Sequence, residues 1–432
     1  MNLLIGILIA LLPVPLLLFI LRTGHYRFCV GPAIAVAAIW AFNCVGAPVV
    51  MSEPALATER YAGVMLLAIA MLYVTYAVLF GLGRRVLVSY QDMQADETSL
   101  EALPVFLALW VYAGVMLAVY VSRHGAPAIF ALAGGLRYID FYAVRASKLT
   151  DLPEGSQWYM LALRTLPFFA TVYAYALWRS QPSRWTRLWF WLTLTLTAAC
   201  ALSFATKDAL LHLPLLIVIA QLCLAGQQFR FRRLMGYVAL SLASVLVIWR
   251  FYLLDLPLGR VSSVLLVALW NRLFVIWAEG QSLLVNIIPQ NHDYFWGAAF
   301  GNPGGLLPFE PVDISRFLGY WSLGHLANYN TASFGQGYAN FGLAGVALVL
   351  LVMIVQLVGF QMLFRWLPKT PLFLAIYTLF ADRMLSYGTQ SLQLVFSEEV
   401  VLALLIVVAG HYTVRGLVRG AMYRPRAGAL PA

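Results

Sequence analysis

Apolar residues run in long blocks along this chain, and polar residues are confined to short stretches between them. Several blocks hold 18 or more apolar residues, enough for a helix to cross a hydrocarbon core of about 30 Å. The short alternating strands of a transmembrane barrel do not occur. The pattern therefore predicts an all-α polytopic membrane protein with about 11 transmembrane helices, within a range of about 10 to 12.

The blocks divide the chain into predicted spans joined by links of unequal length. The spans lie near residues 3–21, 28–50, 61–82, 103–121, 158–178, 186–202, 209–226, 234–254, 337–364, 370–385 and 393–410. We treat 1–432 as a single integral-membrane domain. Two long links stand out: 122–157, a first periplasmic loop, and 255–336, a main periplasmic excursion that contains an in-plane helix over 262–288. Loops this long are usually functional.

Composition excludes a soluble enzyme. The chain has 432 residues, 62% of them hydrophobic and only 11% charged, and its mean hydropathy is +0.82. A soluble domain of this size could not bury so much apolar surface. The sequence also contains no Walker loop, no dinucleotide-binding glycine motif and no DxD motif that would hold a metal-bound nucleotide sugar. The four cysteines lack the spacing of a disulfide framework or a zinc site.

The charges give a topology. Basic residues follow the first, third, fifth and seventh predicted spans, and the positive-inside rule makes those links cytoplasmic and the N-terminus external. Cytoplasmic links and tail hold 16 Lys and Arg against 4 Asp and Glu, whereas the rest holds 12 and 14. The formal charge of +10 is thus a topology signal, and it does not indicate binding to nucleic acid.

One apolar segment, Ser262–Ile288, is ambiguous because it contains Arg272 and Glu279. If it crossed the membrane, Arg365 and Lys369 would lie outside, against the positive-inside rule. We therefore predict that it is a non-crossing amphipathic helix at the outer leaflet. Arg272 and Glu279, seven residues apart, would then share one face of that helix.

Ionisable residues at membrane depth are costly and usually face a cavity or a partner. Such residues fall on the predicted outer side of several spans: Arg164, Lys207, Asp208, Arg272, Glu279, Asp382 and Arg383. One interpretation is a cationic pocket that holds an anionic phosphate group through charge-assisted hydrogen bonds. The other is that each residue snorkels or forms a structural ion pair.

The stretch NYNTASFGQGYANFGLAG, Asn328–Gly345, places polar residues and glycines at the start of an apolar span. Its glycines would let the backbone bend and pack closely. Its polar side chains, among them Asn330, Thr331, Tyr338 and Asn340, would line a cavity for sugar hydroxyls and phosphates. The alternative is a helix-packing motif with an interfacial cap.

Three stretches resemble the Wzy-type oligosaccharide repeat-unit polymerases, the O-antigen polymerase group of the GT-C-like membrane glycosyltransferases. The first is SFATKDALLHLPLLIVIA, and the second is NRLFVIWAEGQSLLVNIIP together with FWGAAFGNPGGLLPFEP. The third is TASFGQGYANFGLAGV. In the first stretch, Lys207 stands where many relatives have Arg. FADRMLSYGTQS resembles a late Arg-containing turn of some members, and Arg137 has a weaker counterpart. The resemblance covers residues from about 100 to 410.

The resemblance implies a polymerase that acts at the periplasmic face of a bacterial inner membrane. It would transfer a glycan from undecaprenyl diphosphate to another lipid-linked repeat unit, without nucleotide sugar, ATP, metal or cofactor. Preorganised cations would stabilise the leaving diphosphate. We assign Arg272 and Arg383 to that role, with Lys207, Arg164, Arg137 and Arg260 as further substrate ligands. Glu279 and His325 are the candidate general bases.

The same resemblance implies partners in the pathway, a chain-length regulator and a flippase, together with membrane lipid. Two other functions stay open. An O-antigen ligase would transfer finished glycan to a lipid A core, and it typically has a stronger His and Arg pattern in its large loop. A transporter or flippase of lipid-linked sugars typically has more spans, short links and an internal repeat.

Overall fold

The structure, a computed structural model, describes residues 1–93, 99–124, 163, 165–203, 207–225, 236, 239, 264, 266–300, 308, 310–324, 329–389, 405, 408–413 and 416–417. Every regular element in these ranges is helical, as the apolar blocks predicted. Helices satisfy their backbone hydrogen bonds internally, which a lipid environment requires. The chain is therefore an all-α membrane protein.

The described residues up to 225 form α1 (Asn2–Leu11), α2 (Val14–Thr23), α3 (Val30–Ile39), α4 (Ala47–Ser52), α5 (Glu59–Leu82), α6 (Ser99–His124), α7 (Leu166–Ser180), α8 (Arg184–Ser203) and α9 (Lys207–Ala225). The later described residues form α10 (Ile276–Ile287), α11 (Ile314–Leu323), α12 (Ser333–Trp366), α13 (Pro371–Arg383) and α14 (Ser386–Thr389). Two π-helical turns, Trp40–Cys44 and Asn271–Val275, precede α4 and α10.

Short polar side chains cap the N-termini of several of these helices. The Thr58 hydroxyl accepts a hydrogen bond from the Tyr61 amide at the start of α5. The Asp313 carboxylate accepts from two amides at the start of α11. Thr370 precedes Pro371 and accepts from the Phe373 amide. Such caps satisfy amides that have no partner within the helix, so each apolar block begins at a defined residue.

Four segments in the described part of the chain are long and apolar enough to cross a membrane: Asn2–Thr23, Val30–Ser52, Glu59–Val86 and Ser333–Trp366. Phe106–Ser122 and His212–Ala225 are shorter apolar helices. These segments agree with six of the predicted spans. Most residues of the predicted spans 234–254 and 393–410 lie outside the described residues, so the count of about 11 stays a prediction.

Basic residues from distant parts of the chain meet at one end of the bundle. An Arg365 guanidinium nitrogen donates to the Arg84 carbonyl, and the Lys369 ammonium lies 5.2 Å from the centroid of the Tyr90 ring. We call this the basic end. At the opposite end, the distal end, α10 packs on the link before α5, because Ser282 donates to the Leu56 carbonyl and Asn286 to that of Ala55.

Helix α13 forms the centre of the described bundle, and all its residues from Pro371 to Asp382 are buried. It has 13 residues, so it is about 20 Å long, less than the roughly 30 Å of a hydrocarbon core. The helix predicted over 370–385 therefore ends inside the bundle. After a short turn the chain continues as α14, in which Ser386, Tyr387 and Gly388 are also buried.

Helix α12 bends sharply near its start. Phe341 and Gly342 have non-helical dihedral angles, and φ of Gly342 is +63°. A Cβ on Gly337 would lie 2.3 Å from the Gly345 carbonyl oxygen, although residues eight apart in a straight helix are separated by about 12 Å. The two arms thus cross in contact. Glycine permits both the left-handed turn and the close approach, as the sequence predicted.

The segment predicted as one helix over 262–288 is helical through the described residues 266–287, but a π-helical turn interrupts it. The extra residue of such a turn rotates the rest of the helix by about 100°, the rotation of one residue. Arg272 and Glu279 therefore do not share one face. Arg272 is exposed, whereas Glu279 is half-buried.

Candidate functional site

The predicted site residues that the structure describes fall into two groups. The α10 group contains Arg272, Glu279, Asn330, Thr331, Tyr338 and Asn340. The α13 group contains Lys207, the first residue of α9, and Arg383, the last residue of α13. The other four predicted site residues, Arg137, Arg164, Arg260 and His325, lie outside the described residues.

In the α10 group, Glu279 has a specific partner. The Tyr329 hydroxyl donates to Glu279 Oε1 over 3.0 Å. Burial, the Glu279 charge and this hydrogen bond raise the pKa of Tyr329 to about 12. The phenol thus stays a neutral donor at physiological pH. Glu279 is held as an acceptor beside the chain that leads into α12.

That chain lies directly against α10. A Cβ on Gly280 would be 2.2 Å from the Asn330 carbonyl oxygen, so only glycine permits this approach. Tyr329 is fixed from its other side by two hydrogen bonds with Ser315. Asn330 is half-buried and Thr331 is buried. The polar stretch before α12 is therefore part of the packed interface between α10 and α12.

Asn340 and Tyr338 are engaged in holding the fold. The Asn340 Oδ1 atom accepts from the amides of Gly297 and Ala299, at 2.8 and 3.0 Å, and its Nδ2 donates to the Gln336 carbonyl. The Tyr338 hydroxyl donates to the Ile288 carbonyl over 3.3 Å. Asn340 is fully buried. This placement differs from the predicted lining of an open cavity, because its polar atoms face backbone groups.

Arg272 lies on the π-helical turn Asn271–Val275. This turn packs on the other one, Trp40–Cys44, and a Cβ on Gly46 would lie 2.0 Å from the Phe274 carbonyl oxygen. The Trp277 indole donates to the Arg272 carbonyl over 3.0 Å. The backbone at Arg272 is thus fixed while its guanidinium-bearing side chain is exposed. Packed π-helical turns are frequent at functional sites.

The α13 group is organised by a hydrogen-bonded pair of side chains that joins α9 to α13. His212 Nδ1 lies 2.8 and 2.9 Å from the two carboxylate oxygens of Asp382. The Asp382 side chain is 7% exposed and that of His212 is 25% exposed. A buried carboxylate needs such a partner. Asp382 directly precedes Arg383, and His212 is five residues after Lys207, so the pair brings the start of α9 and the end of α13 to within about two helical turns of each other along the axis.

The contacts of Tyr90, near the basic end, show where the His212–Asp382 pair lies along the bundle axis. Its amide donates to the Cys223 carbonyl of α9, and its hydroxyl donates to the Phe373 carbonyl of α13 over 3.1 Å. His212 precedes Cys223 by 11 residues and Asp382 follows Phe373 by 9, which correspond to roughly 17 and 14 Å. The His212–Asp382 pair is thus displaced from the basic end towards the distal end.

The two groups adjoin the same π-helical turn, Trp40–Cys44. Asn43 Nδ2 donates to the Gly388 carbonyl in α14, five residues beyond Arg383. Phe42 contacts Trp277, with ring centroids 5.5 Å apart. Residues 42 and 43 point to adjacent faces of the turn. The elements that carry Arg272 and Arg383 therefore lie side by side around it.

Buried polar atoms lie at this junction. Ser333 at the start of α12 donates to the Tyr387 carbonyl over 2.9 Å. Asn43 Oδ1 and both amide atoms of Gln281 are buried without a hydrogen-bond partner in the described structure. Buried polar atoms in proteins are normally paired, so these three atoms are exceptions in the described structure.

The sequence pointed to Asp382 but not to His212 or Tyr329. His212 interrupts the apolar run ALLHLPLLIV, and an ionisable residue inside such a run is itself a functional signal. Tyr329 gives no comparable signal, because tyrosines are common where helices leave a membrane. Its partner, Glu279, is 50 residues away.

In the described ranges, no group of three or more His, Cys, Asp or Glu residues is placed to hold a metal ion. Comparison of the chain with known protein families, with curated proteins and with solved structures gives no match.

Proposed function

We propose that the chain is a membrane glycosyltransferase that polymerises polyprenyl-diphosphate-linked oligosaccharide repeat units into a surface polysaccharide. It acts at the periplasmic face of a bacterial inner membrane, with its basic end in the cytoplasm. The sequence resemblance to the repeat-unit polymerases supports this proposal. So does the enrichment of one bundle end in Arg and Lys, which the positive-inside rule assigns to the cytoplasm.

The observation that carries the proposal is the meeting of α9 and α13 at the His212–Asp382 pair. It brings Lys207 and Arg383 to neighbouring helix ends, away from the basic end. Arg383 is also the last residue of a helix, where the macrodipole favours a cation. Lys and Arg at such a site suit the diphosphate of a lipid carrier, whose negative charge grows as the glycosidic bond breaks.

Arg272 is the second proposed ligand of the diphosphate. Its side chain is exposed and its backbone is fixed between the two π-helical turns. A bidentate guanidinium would orient the phosphate groups and cost little conformational entropy on binding. Glu279, held by Tyr329 on the next turns, is positioned for the hydroxyls of the sugar. The chain-length regulator and the flippase of the same pathway remain proposed partners.

The test is deletion of the gene in the native host, followed by electrophoresis of the surface glycan. A polymerase predicts that the ladder is reduced to core with a single repeat unit. Loss of all capped core would indicate a ligase instead. Accumulation of lipid-linked units on the inner face would indicate a flippase. Wild-type chain, supplied in trans, should restore the ladder, and an Arg383→Ala variant that is present at equal amount should not.

A further inference from the structure

We propose that His212 is the general base that deprotonates the acceptor hydroxyl, and that Asp382 is the residue that positions it. This inference rests on the proposed glycosyl transfer, which requires removal of a proton from a sugar hydroxyl. The starting observation is the geometry of the pair. Both carboxylate oxygens of Asp382 lie within 2.9 Å of a single ring nitrogen, His212 Nδ1.

The hydrogen bond fixes the proton on the ring. A carboxylate can only accept, so Nδ1 carries the hydrogen and donates it. In the neutral ring the lone pair then belongs to Nε2, the nitrogen that faces away from Asp382. No hydrogen bond to Nε2 is present from the residues that the structure describes. His212 is one quarter exposed and Asp382 is almost wholly buried, so the outward nitrogen is the reactive one.

Two basic residues belong to the helices that carry this pair. Lys207 begins the same helix, about 8 Å further along the axis by the helical rise, and Arg383 directly follows Asp382. The acceptor oxygen and the departing diphosphate lie on opposite sides of the anomeric carbon. A base on α9 and a cation at the end of α13, on neighbouring helices, can serve these two positions together.

The proposed transfer conserves atoms and electrons. The acceptor hydroxyl gives its proton to His212 Nε2 while its oxygen forms a bond to the anomeric carbon of the donor glycan. The bond between that carbon and the diphosphate oxygen breaks, and its electron pair leaves with the phosphate. Asp382 stabilises the imidazolium that forms. The proton passes to water when the lipid diphosphate departs, which restores the neutral ring.

A purely structural pair would have the same distances, so the experiment must separate the two roles. His212→Asn does so, because the Asn amide can still donate to Asp382 but has no basic nitrogen. The assay uses purified protein in detergent and lipid-linked oligosaccharide extracted from the deletion strain. It measures kcat and KM for polymer formation. His25→Ala, which removes a half-buried histidine near the basic end, is the matched control and should retain full activity.

We expect His212→Asn to lower kcat by about 100-fold or more, the usual contribution of a general base, and to leave KM within about threefold. Asp382→Asn should also lower kcat, because a carboxamide no longer dictates the tautomer. The double variant should be no slower than His212→Asn, as residues that act together are not additive.

An active His212→Asn variant, with kcat within a few-fold of wild type, would overturn the general-base assignment and leave the proposed function intact. Wild-type protein that forms no polymer from the same lipid-linked units would overturn the proposed function, and the assignment with it. The two failures are therefore distinct.

Discussion

Asp382 and Glu279 illustrate two ways in which this chain holds a carboxylate beside apolar helices. Asp382 is buried in the central helix and is hydrogen-bonded to a histidine from α9. Glu279 is half-buried and accepts a hydrogen bond from a neutral tyrosine. The first carboxylate orients an imidazole, while the second is held in place by a phenol. At the residue scale, the partner thus decides the chemistry of each acid.

The Tyr329–Glu279 bond predicts a specific pH dependence of stability. Folding raises the pKa of Tyr329 to about 12 from its ordinary value of 10.0. Between these values the folded state holds a proton that the unfolded state has lost, so the stabilisation is complete below about pH 10 and decreases towards pH 12. We expect Tyr329→Phe to lower the melting temperature at pH 8, and the gap from wild type to shrink above pH 10.

Thermal unfolding of the two proteins in detergent, between pH 8 and about 11.5, measures this gap. Tyr320→Phe is a suitable control, because that side chain is 63% exposed on the neighbouring α11, and it should match wild type throughout. A gap between Tyr329→Phe and wild type that persists unchanged to the highest pH would show that the phenol does not titrate as proposed.

Departures from the regular α-helix position the candidate site at the scale of elements. Two π-helical turns, one of which contains Arg272, pack on each other. Helix α12 folds back at Gly342, and α13 ends inside the bundle at Arg383. Irregular backbone at membrane depth is tolerated where protein buries it or where it lines a cavity. Because the two π-helical turns are in contact and Asn43 of the first donates to the Gly388 carbonyl just beyond α13, the elements that carry Arg272 and Arg383 both adjoin Trp40–Cys44.

The close contact between the two π-helical segments predicts that a single methyl group added at Gly46 lowers stability. In Gly46→Ala the new Cβ would overlap the Phe274 carbonyl oxygen at 2.0 Å, and the turn that carries Arg272 would have to shift. We expect a loss of about 1–3 kcal/mol in stability, as for overpacked cores, together with reduced polymer formation. Unfolding in detergent and the polymer assay measure the two effects.

Gly63→Ala is the matched control on α5, since nothing lies within 4 Å of the added Cβ. Alanine is favoured over glycine inside a helix by about 0.5–1 kcal/mol, so this variant should be as stable as wild type or slightly more so. If Gly46→Ala behaved like Gly63→Ala, the close packing of the two turns would be wrong.

At the scale of the whole molecule, the two ends of the bundle differ in charge and in the helices that meet there. Arg84, Arg365 and Lys369 meet at the basic end, whereas α10, the start of α5 and the start of α12 meet at the distal end. Helix α10 lies at the distal end, and α12 runs from there back to Arg365. Arg365 and Lys369 therefore lie at the end of the bundle opposite to α10, and their placement on the cytoplasmic side stays a prediction.

Reporter fusions test this polarity. Alkaline phosphatase joined after Glu310 should be active, because it is exported, and the same enzyme joined after Pro368 should be inactive. A fluorescent protein that matures only in the cytoplasm should give the opposite pattern at the two sites. If both positions reported the same side, α12 would not cross and the proposed orientation of the site would fail.

The sequence by itself determined that this is an all-α membrane protein and where its longest spans lie. It also indicated that Gly342 and its neighbours bend the chain. These properties are local, because the length and apolarity of a block decide whether it can enter lipid, and a glycine sets the freedom of its own backbone.

Only the tertiary structure decided which residues meet. His212 and Asp382 are 170 residues apart, and both lie in apolar blocks with no pattern to pair them. Asn340 looked like a ligand of substrate, yet it binds the backbone of a loop more than 40 residues earlier. Such pairings depend on the register and angle at which helices pack, and a single shift of one turn changes every partner.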